Sequence, residues 1–313
     1  MRLLRPQWLF KLPHFLSTLL CLALLLPVAV MADNLRVLVV LSSNAAPYQA
    51  FAGAYAQNLP GTMRVEIQGQ AESYDRAQKF DLVVTVGVKA SQFVAARTAT
   101  PVLAVMLPKR SYEDSVLRTP HSKEISAIYL DQPWERQVDL IRVVLPGANK
   151  VGVLHSAAMG LDTVGLGKAL SRRGLELGLQ LLKIPDALFV NLDTLLDSSD
   201  VLLAVPDSEI YSSNNIRNIL LTTYRRGIPL IGLSQAYVNA GALSAVFSTP
   251  EQIAAQASAE TLAFAQTHQL PEPQYPSLFK VAVNQDVART LSVPIQSAEM
   301  VKLQMDSTKG RGW

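Results

Sequence analysis

Small polar side chains follow most of the apolar runs of this 313-residue sequence. If these runs are parallel strands, the residues just past them share one edge of a sheet, where ligands of open α/β sheets bind. Hydroxyl and amide groups form hydrogen bonds there, helix N-termini favour anions, and a carboxylate favours an ammonium group. The sequence therefore predicts a binding site for a small polar ligand. The candidate ligand-binding residues are Ser42, Asn44, Tyr48, Gly87, Lys89, His155, Ser156, Asp207, Ser234 and Phe247.

Each candidate with a strong binding interpretation also fits a structural role. Asp207 could cap a helix that begins near Ser212, or it could face a ligand ammonium across from 42–44. The alternative to ligand contact is burial in the core. It applies to a tyrosine on the apolar side of a helix, a phenylalanine at a strand end and a histidine between two lobes. These alternatives stay open from the sequence alone. The cap alternative applies to Ser42, Asn44 and Ser156, and the core alternative to Tyr48, His155 and Phe247.

Catalytic and metal chemistry have no comparable signal. His121, His155 and His268 are far apart and lack metal-ligand spacing, so we expect no metal site. The stretch 160–168 has the wrong glycine spacing for a phosphate loop, and Ala169 stands where Ser or Thr would hold Mg²⁺. No nucleophile–base pair can be nominated. We therefore expect a protein that is not an enzyme and has no cofactor, with a cleft hydrolase as the least favoured alternative.

The first 32 residues have the pattern of a secretory signal peptide, with a positive start, an apolar run over 15–30 and a cleavage site near Ala32. A retained membrane anchor is the alternative, although the run is short for a bilayer span. Cleavage would remove Cys21, the one cysteine, together with three of the 28 basic residues. The remaining 25 basic residues equal the 25 acidic ones, which argues against a nucleic-acid partner. We expect a periplasmic protein.

Apolar runs typical of buried strands alternate with helical patterns along the rest of the chain. Because strands apolar on both faces belong to parallel sheets covered by helices, the fold class is α/β. Some ten strands suit two Rossmann-like lobes better than one sheet. Hinges are expected near Asp131, Tyr237 and Pro276. The predicted boundaries are 1–32 for the signal peptide, 33–130 plus 240–275 for lobe 1, 131–239 plus 276–298 for lobe 2, and 299–313 for a polar C-terminal tail.

Several structural motifs resemble one family. A strand that ends in Pro206-Asp207, a strand that begins with Ile228-Pro229 and the turn Gly241-Ala242-Leu243 follow one another within 200–247. The closing segment 281–294 supplies a further strand, an asparagine and a short helix. Together they resemble the ABC-transporter substrate-binding proteins related to tryptophan- and tyrosine-type binders. The resemblance implies a type I periplasmic-binding-protein architecture with the ligand in the cleft between two lobes.

The expected function is therefore solute binding for an ABC import system. A small molecule, with an amino-acid-like solute as one candidate, would be held in the cleft by hinge closure. The loaded protein would then dock on an ABC permease in the inner membrane, and we expect it to be a monomer. The alternative is a sensing or accessory protein of the same fold, without a dedicated permease, that signals to a membrane sensor.

Overall fold

The computed structural model of the chain describes residues 35–75, 78–119, 124–184 and 187–309. The predicted signal peptide, the residue His121 and the last four residues of the predicted tail lie outside these ranges. Within them, eleven strands and eleven α-helices form two α/β sheets covered by helices. No helix in this described part has both the length and the hydropathy that a membrane crossing requires.

The first sheet has five parallel strands in the order β2-β1-β3-β4-β5. Strands β3 and β4 are buried at every position, because their Val and Leu side chains meet helices on both faces. We call this sheet with its covering helices the first lobe. Its elements are β1 (Arg36–Leu41), α1 (Ala46–Asn58), β2 (Arg64–Gln68), β3 (Leu82–Val86), α2 (Val88–Ala95), β4 (Val102–Leu107), α3 (Lys109–Ser111, continued by a π-helical turn over Tyr112–Val116) and β5 (Ile125–Tyr129).

The second sheet has six strands in the order β11-β10-β9-β8-β6-β7, all parallel except for the antiparallel pair β10–β11. We call this sheet with its covering helices the second lobe. Its elements are α4 (Trp134–Val144), β6 (Lys150–Ser156), α5 (Thr163–Ser171), β7 (Glu176–Leu182), α6 (Leu188–Leu196), β8 (Val201–Leu203), α7 (Ile216–Arg225), β9 (Leu230–Gly232), α8 (Gln235–Ala240), β10 (Ser244–Phe247), β11 (Lys280–Val283), α10 (Gln285–Thr290) and α11 (Ala298–Lys309).

The long helix α9 (Pro250–Thr267) returns to the first lobe and packs against α1. Local sequence signals define its N-terminus. Thr249 and Gln252 form a capping box, and Pro250 occupies the first turn. Tyr55 and Thr261 share a buried hydroxyl–hydroxyl hydrogen bond of 2.7 Å between the two helices.

The predicted lobe boundary at residue 240 is wrong for strand β10. This strand pairs with β9 and β11 in the second sheet, whereas the sequence analysis assigned 240–275 to lobe 1. A short buried strand such as β10 fits either sheet, and the short helix α8 decides its place by returning the chain beside β9. The chain therefore crosses between the lobes at 130–133, 248–249 and 275–279. Tyr237, expected at a hinge, lies inside α8 in the second lobe.

The C-terminal tail predicted over 299–313 is also corrected, because α11 occupies most of it. Val301 and Met305 are each 1% exposed and belong to the core of the second lobe, where α11 packs against α4. Because this stretch is polar in composition, the single apolar stripe of α11 was not recognised from the sequence. Helices α6 and α8 and the helical stretch after β4 were likewise absent from the prediction.

We predict that Met305→Ala lowers the free energy of unfolding by about 2–3 kcal/mol, because a buried side chain is truncated in a packed core. Leu303 lies on the same helix but is 61% exposed, so Leu303→Ala should change the value by less than about 0.5 kcal/mol. Urea unfolding followed by circular dichroism measures both. Equal stabilities for the two variants would show that α11 does not contribute to the core.

Candidate functional site

A cavity of about 700 Å³ lies between the two sheets, at the carboxyl ends of their strands. Three loops supply most of its wall, namely 108–111 after β4, 158–162 after β6 and 206–209 after β8. The crossing segments contribute Asp131 and Tyr275. Both lobes therefore line the cavity at the edge where open α/β sheets bind their ligands.

Ser156 occupies the last position of β6 and lines this cavity. The residue is 1% exposed, and its Oγ has no hydrogen-bond partner among the described residues. A buried hydroxyl without a partner is unfavourable, so native structures usually provide one. The Ser156 hydroxyl therefore has unused hydrogen-bonding capacity at the wall of the cavity.

Asp207 is buried beside Ser156 and connects two of the loops that form the cavity wall. Its Oδ2 accepts a hydrogen bond from the Ser156 N–H at 2.6 Å, and its Oδ1 accepts one from the Glu209 N–H at 3.0 Å. Helix α7 begins only at Ile216, so this carboxylate does not cap it. Asp207 thus fixes the end of β6 to the turn after β8, and it still lines the cavity.

The cationic side chains of the cavity wall are engaged with carboxylates. Lys109 Nζ lies 3.7 Å from Glu113, and Arg110 Nε lies 2.5 Å from Asp114. The Arg110 guanidinium also lies against Gly160 of the opposite lobe, whose φ of +57° suits glycine. Both cations belong to the first lobe and lie at the rim of the cavity, facing the second lobe.

Asp131 follows β5 in the first crossing and accepts the Lys109 backbone N–H at 2.5 Å. Burial raises the pKa of this carboxyl above its usual 3.8, and the Lys109 N–H opposes the shift only in part. Asp162 has a different role, because its Oδ1 caps helix α5 through the Gly165 N–H at 2.8 Å.

Apolar and aromatic side chains complete the wall. Trp134, Met159 and Tyr275 are partly buried and line the cavity from the second lobe and from the third crossing. The Tyr275 ring packs edge-on against Tyr129 with the ring centroids 5.3 Å apart. Burial raises the pKa of the Tyr275 phenol, so this hydroxyl is protonated at neutral pH.

Three of the sequence-predicted site residues, Ser42, Tyr48 and Gly87, pack against one another outside the wall of this cavity. Ser42 Oγ donates to the Val86 carbonyl at 2.7 Å and accepts the Ala90 N–H at 2.9 Å. A Cβ added to Gly87, whose φ is +87°, would lie 2.7 Å from both Ser42 Oγ and the Tyr48 hydroxyl. Close packing therefore accounts for this glycine. The structure does not bring these three residues to the cavity wall, and their contact with a ligand stays a prediction.

The other five predicted residues are also placed outside the wall of this cavity. Lys89 pairs with Glu72 at 2.7 Å, Asn44 accepts from Gln49 at 3.3 Å, and the His155 ring lies 3.1 Å from the Ser156 carbonyl. Ser234 precedes α8 without a side-chain cap bond, and Phe247 packs on the small cluster around β10 and β11. Of the ten candidates, the structure brings Ser156 and Asp207 together at the cavity.

Sequence reasoning missed Lys109, Arg110, Asp131, Trp134 and Tyr275 as cavity residues. Asp131 was expected only at a hinge, and the other four residues were not among the candidates. The position of Lys109, Arg110 and Asp131 just after β4 and β5 was the available signal, and Trp134 and Tyr275 had no such signal. Within the described ranges, no three His, Cys, Asp or Glu side chains come together as a metal site would require.

We predict that Asp207→Asn lowers the free energy of unfolding of the ligand-free protein by about 1–3 kcal/mol, because the amide NH₂ would face a backbone N–H. Asp162→Asn is the matched control, since its one capping oxygen remains and the change should stay below about 0.5 kcal/mol. Chemical denaturation measures both. Unchanged stability combined with weaker solute binding would instead indicate a purely ligand-binding role for Asp207.

We also predict a pH signature for Asp131. Because its pKa is raised on folding, the folded protein binds this proton more tightly than the unfolded chain. The resulting stabilisation is present in acid and is lost as the pH rises through the folded-state pKa. Asn keeps the acceptor for the Lys109 N–H and cannot ionise. The stability of the wild type relative to Asp131→Asn should therefore fall between acid and neutral pH in urea titrations, and a constant difference would contradict this assignment.

Comparison with known proteins agrees with this geometry. The sequence profile of the family described as ABC transporter substrate binding protein matches residues 76–305. A search of curated proteins finds no match to this sequence.

Solved structures share the fold at low sequence identity. An ABC domain from Streptococcus pneumonia in complex with L-Trp has a TM-score of 0.61 and 16% identity, covering 86% of this chain and 98% of that one. A ligand-free, open substrate-binding protein with adhesive properties from Clostridium difficile has a TM-score of 0.67 and 14% identity, covering 84% and 97%. A periplasmic ribose ABC transporter protein from Conexibacter woesei has a TM-score of 0.56 and 12% identity, covering 86% and 97%.

The architecture is thus that of the type I periplasmic binding proteins, as the sequence resemblance implied. The family match covers well over half of the sequence and includes β8, α7, β9 and β10, which carry the motifs identified above. The chain belongs to the family of ABC-transporter substrate-binding proteins.

Proposed function

We propose that this protein captures a small solute in the cavity between its lobes and delivers it to an ABC importer. The observation that carries the proposal is a cavity of about 700 Å³, lined by polar and apolar side chains of both lobes, whose wall includes a buried serine with an unpaired hydroxyl. A volume of this size suits one small molecule. Solute binding would close the lobes about the three crossing segments.

The proposal includes a periplasmic location and a membrane permease as partner. The signal-peptide pattern over residues 1–32 supports export, and membership of the ABC substrate-binding family supports a transporter partner. One structural relative was solved with L-Trp, so amino-acid-like solutes are sensible first probes. The absence of a nominated nucleophile–base pair supports binding without turnover.

Native mass spectrometry of protein purified without denaturation tests solute capture. We expect a retained small molecule whose mass is lost on unfolding. Small-angle scattering should then show a smaller radius of gyration for the loaded than for the stripped protein. Identical scattering curves for the two forms would contradict closure, and chemical conversion of the retained molecule by the protein would instead indicate an enzyme.

Ser156→Ala gives a residue-level prediction. Because the Ser156 Oγ has no protein partner, its removal should leave the free energy of unfolding unchanged or slightly raised. Affinity for the retained solute should fall about three- to ten-fold, the loss expected for one hydrogen bond. Isothermal titration calorimetry with the recovered solute measures this affinity.

Ser126→Ala is the matched control for that variant. Ser126 is also 1% exposed with an unpaired Oγ, but it lies in β5 and does not line the cavity. Its loss should leave the affinity unchanged. A loss of affinity in the Ser126 variant, or none in the Ser156 variant, would contradict a direct role of the Ser156 hydroxyl.

A further inference from the structure

The charges on the cavity wall are unequal. Five carboxylates and two cationic side chains line it. The two cations already have carboxylate partners, Glu113 for Lys109 and Asp114 for Arg110. Four wall carboxylates have no Lys or Arg within ion-pair distance among the described residues, and these are Asp131, Asp162, Asp207 and Glu209.

Backbone N–H groups only partly satisfy these four carboxylates. Asp131 and Asp162 each accept one N–H, and Asp207 accepts two. Each carboxylate offers about four lone-pair positions, so acceptor capacity remains at every one of them. Glu209 is exposed at the rim, with no side-chain partner in the described part of the chain. The wall therefore has excess negative charge and excess hydrogen-bond acceptors.

A second observation, independent of the carboxylates, also points to a ligand at this wall. The Ser156 Oγ, 1% exposed and without a partner, lies in the same wall as these carboxylates. Trp134, Met159 and Tyr275 supply apolar surface beside it. Aromatic faces attract organic cations as well as apolar groups. The wall thus combines acceptors for N–H donors with surfaces for an apolar body.

We infer that the solute of this site is a small organic cation, an amine or related base with an apolar body and no compensating carboxylate of its own. The inference rests on the proposed solute-binding function and specifies the class of solute. A ligand ammonium would supply the missing positive charge and would donate to the carboxylates, while the Ser156 hydroxyl would bond a further polar atom.

A ligand carboxylate would meet the opposite conditions. Arg110 is engaged with Asp114 and lies against Gly160, and Lys109 faces Glu113. An anion would have to displace one of these carboxylates in a wall that already repels it. Like charges at close range disfavour binding, so the geometry selects against anions and against zwitterions that present their carboxylate to the wall.

Two matched ligand series test the sign of the charge at constant size. Tryptamine, tryptophan and indolepropionate share an aromatic body and are cationic, zwitterionic and anionic. Cadaverine, aminovalerate and glutarate do the same for an aliphatic chain. Within each series, calorimetric titration of stripped protein at low salt should show that the cation binds at least about ten-fold more tightly than the zwitterion. Added salt should lower the affinity for the cation.

Charge-removing variants locate that binding. Glu209→Gln and Asp162→Asn each remove one wall charge, and Asn keeps the cap on α5. Each variant should lower the affinity for the cation about three-fold, and the double variant should lower it about ten-fold. Glu176→Gln is the control, because this exposed residue begins β7 at the opposite edge of the same sheet. The affinity of the Glu176→Gln variant for the cation should equal that of the wild type.

Tighter binding of a zwitterion or an anion would overturn the inference while leaving solute capture intact. Absence of binding by both cations would overturn it as well, and a solute retained in native mass spectrometry would then show that the proposed function stands alone. Equal weakening by Glu176→Gln and by Glu209→Gln would show a general field effect rather than a site. If no solute is retained and no member of either series binds, the proposed function itself fails.

Discussion

A buried polar network joins the three segments that cross between the lobes. The Arg136 guanidinium donates to Gln132 of the first crossing and to the Pro276 carbonyl of the third, the latter at 2.9 Å. Gln132 donates to Ser248 of the second crossing at 3.0 Å, and Ser248 donates to the Leu278 carbonyl at 2.6 Å. Arg136 is 8% exposed, and an unpaired charge so deeply buried would be strongly unfavourable. These hydrogen bonds hold the three crossing segments against one another.

The cavity depends on the same geometry. The crossings place the carboxyl ends of both sheets opposite each other, and Asp131, one residue before Gln132, is part of both the first crossing and the cavity wall. On the second lobe, the Asp207 carboxylate fixes β6 to the loop after β8 through two backbone N–H groups. Rigid strand ends thus position the acidic wall, and the loop around Gly160 meets Arg110 across the gap. The proposed solute site and the crossing segments therefore form one connected region.

Much of the fold follows from local signals in the sequence. Apolar runs predicted the parallel sheets, because that signal depends on neighbouring residues alone. The sheet to which β10 belongs could not be predicted in this way, since a short buried strand is compatible with either sheet. The stripe of α11 was hidden because only two buried side chains, Val301 and Met305, anchor it within a polar stretch.

The site was harder to predict than the fold for a related reason. Of the positions after strands, Ser156 and Asp207 lie at the cavity. Ser42 and Gly87 also follow strands, but the Ser42 hydroxyl bonds the end of β3 and the first turn of α2, and Gly87 packs closely against Ser42 and Tyr48. The crossing segments decide which strand ends face the other lobe, and no local sequence pattern predicts this. Lys109 and Asp131 became cavity residues only through this tertiary arrangement.

The most direct test of this account is a crystal structure of the protein purified with its retained solute. The account predicts a small molecule between the two sheets, within hydrogen-bonding distance of the Ser156 Oγ and in contact with residues of both lobes. Arg136, Gln132 and Ser248 should keep their mutual hydrogen bonds in that structure. A solute bound elsewhere, with this cavity filled by water, would contradict the central claim.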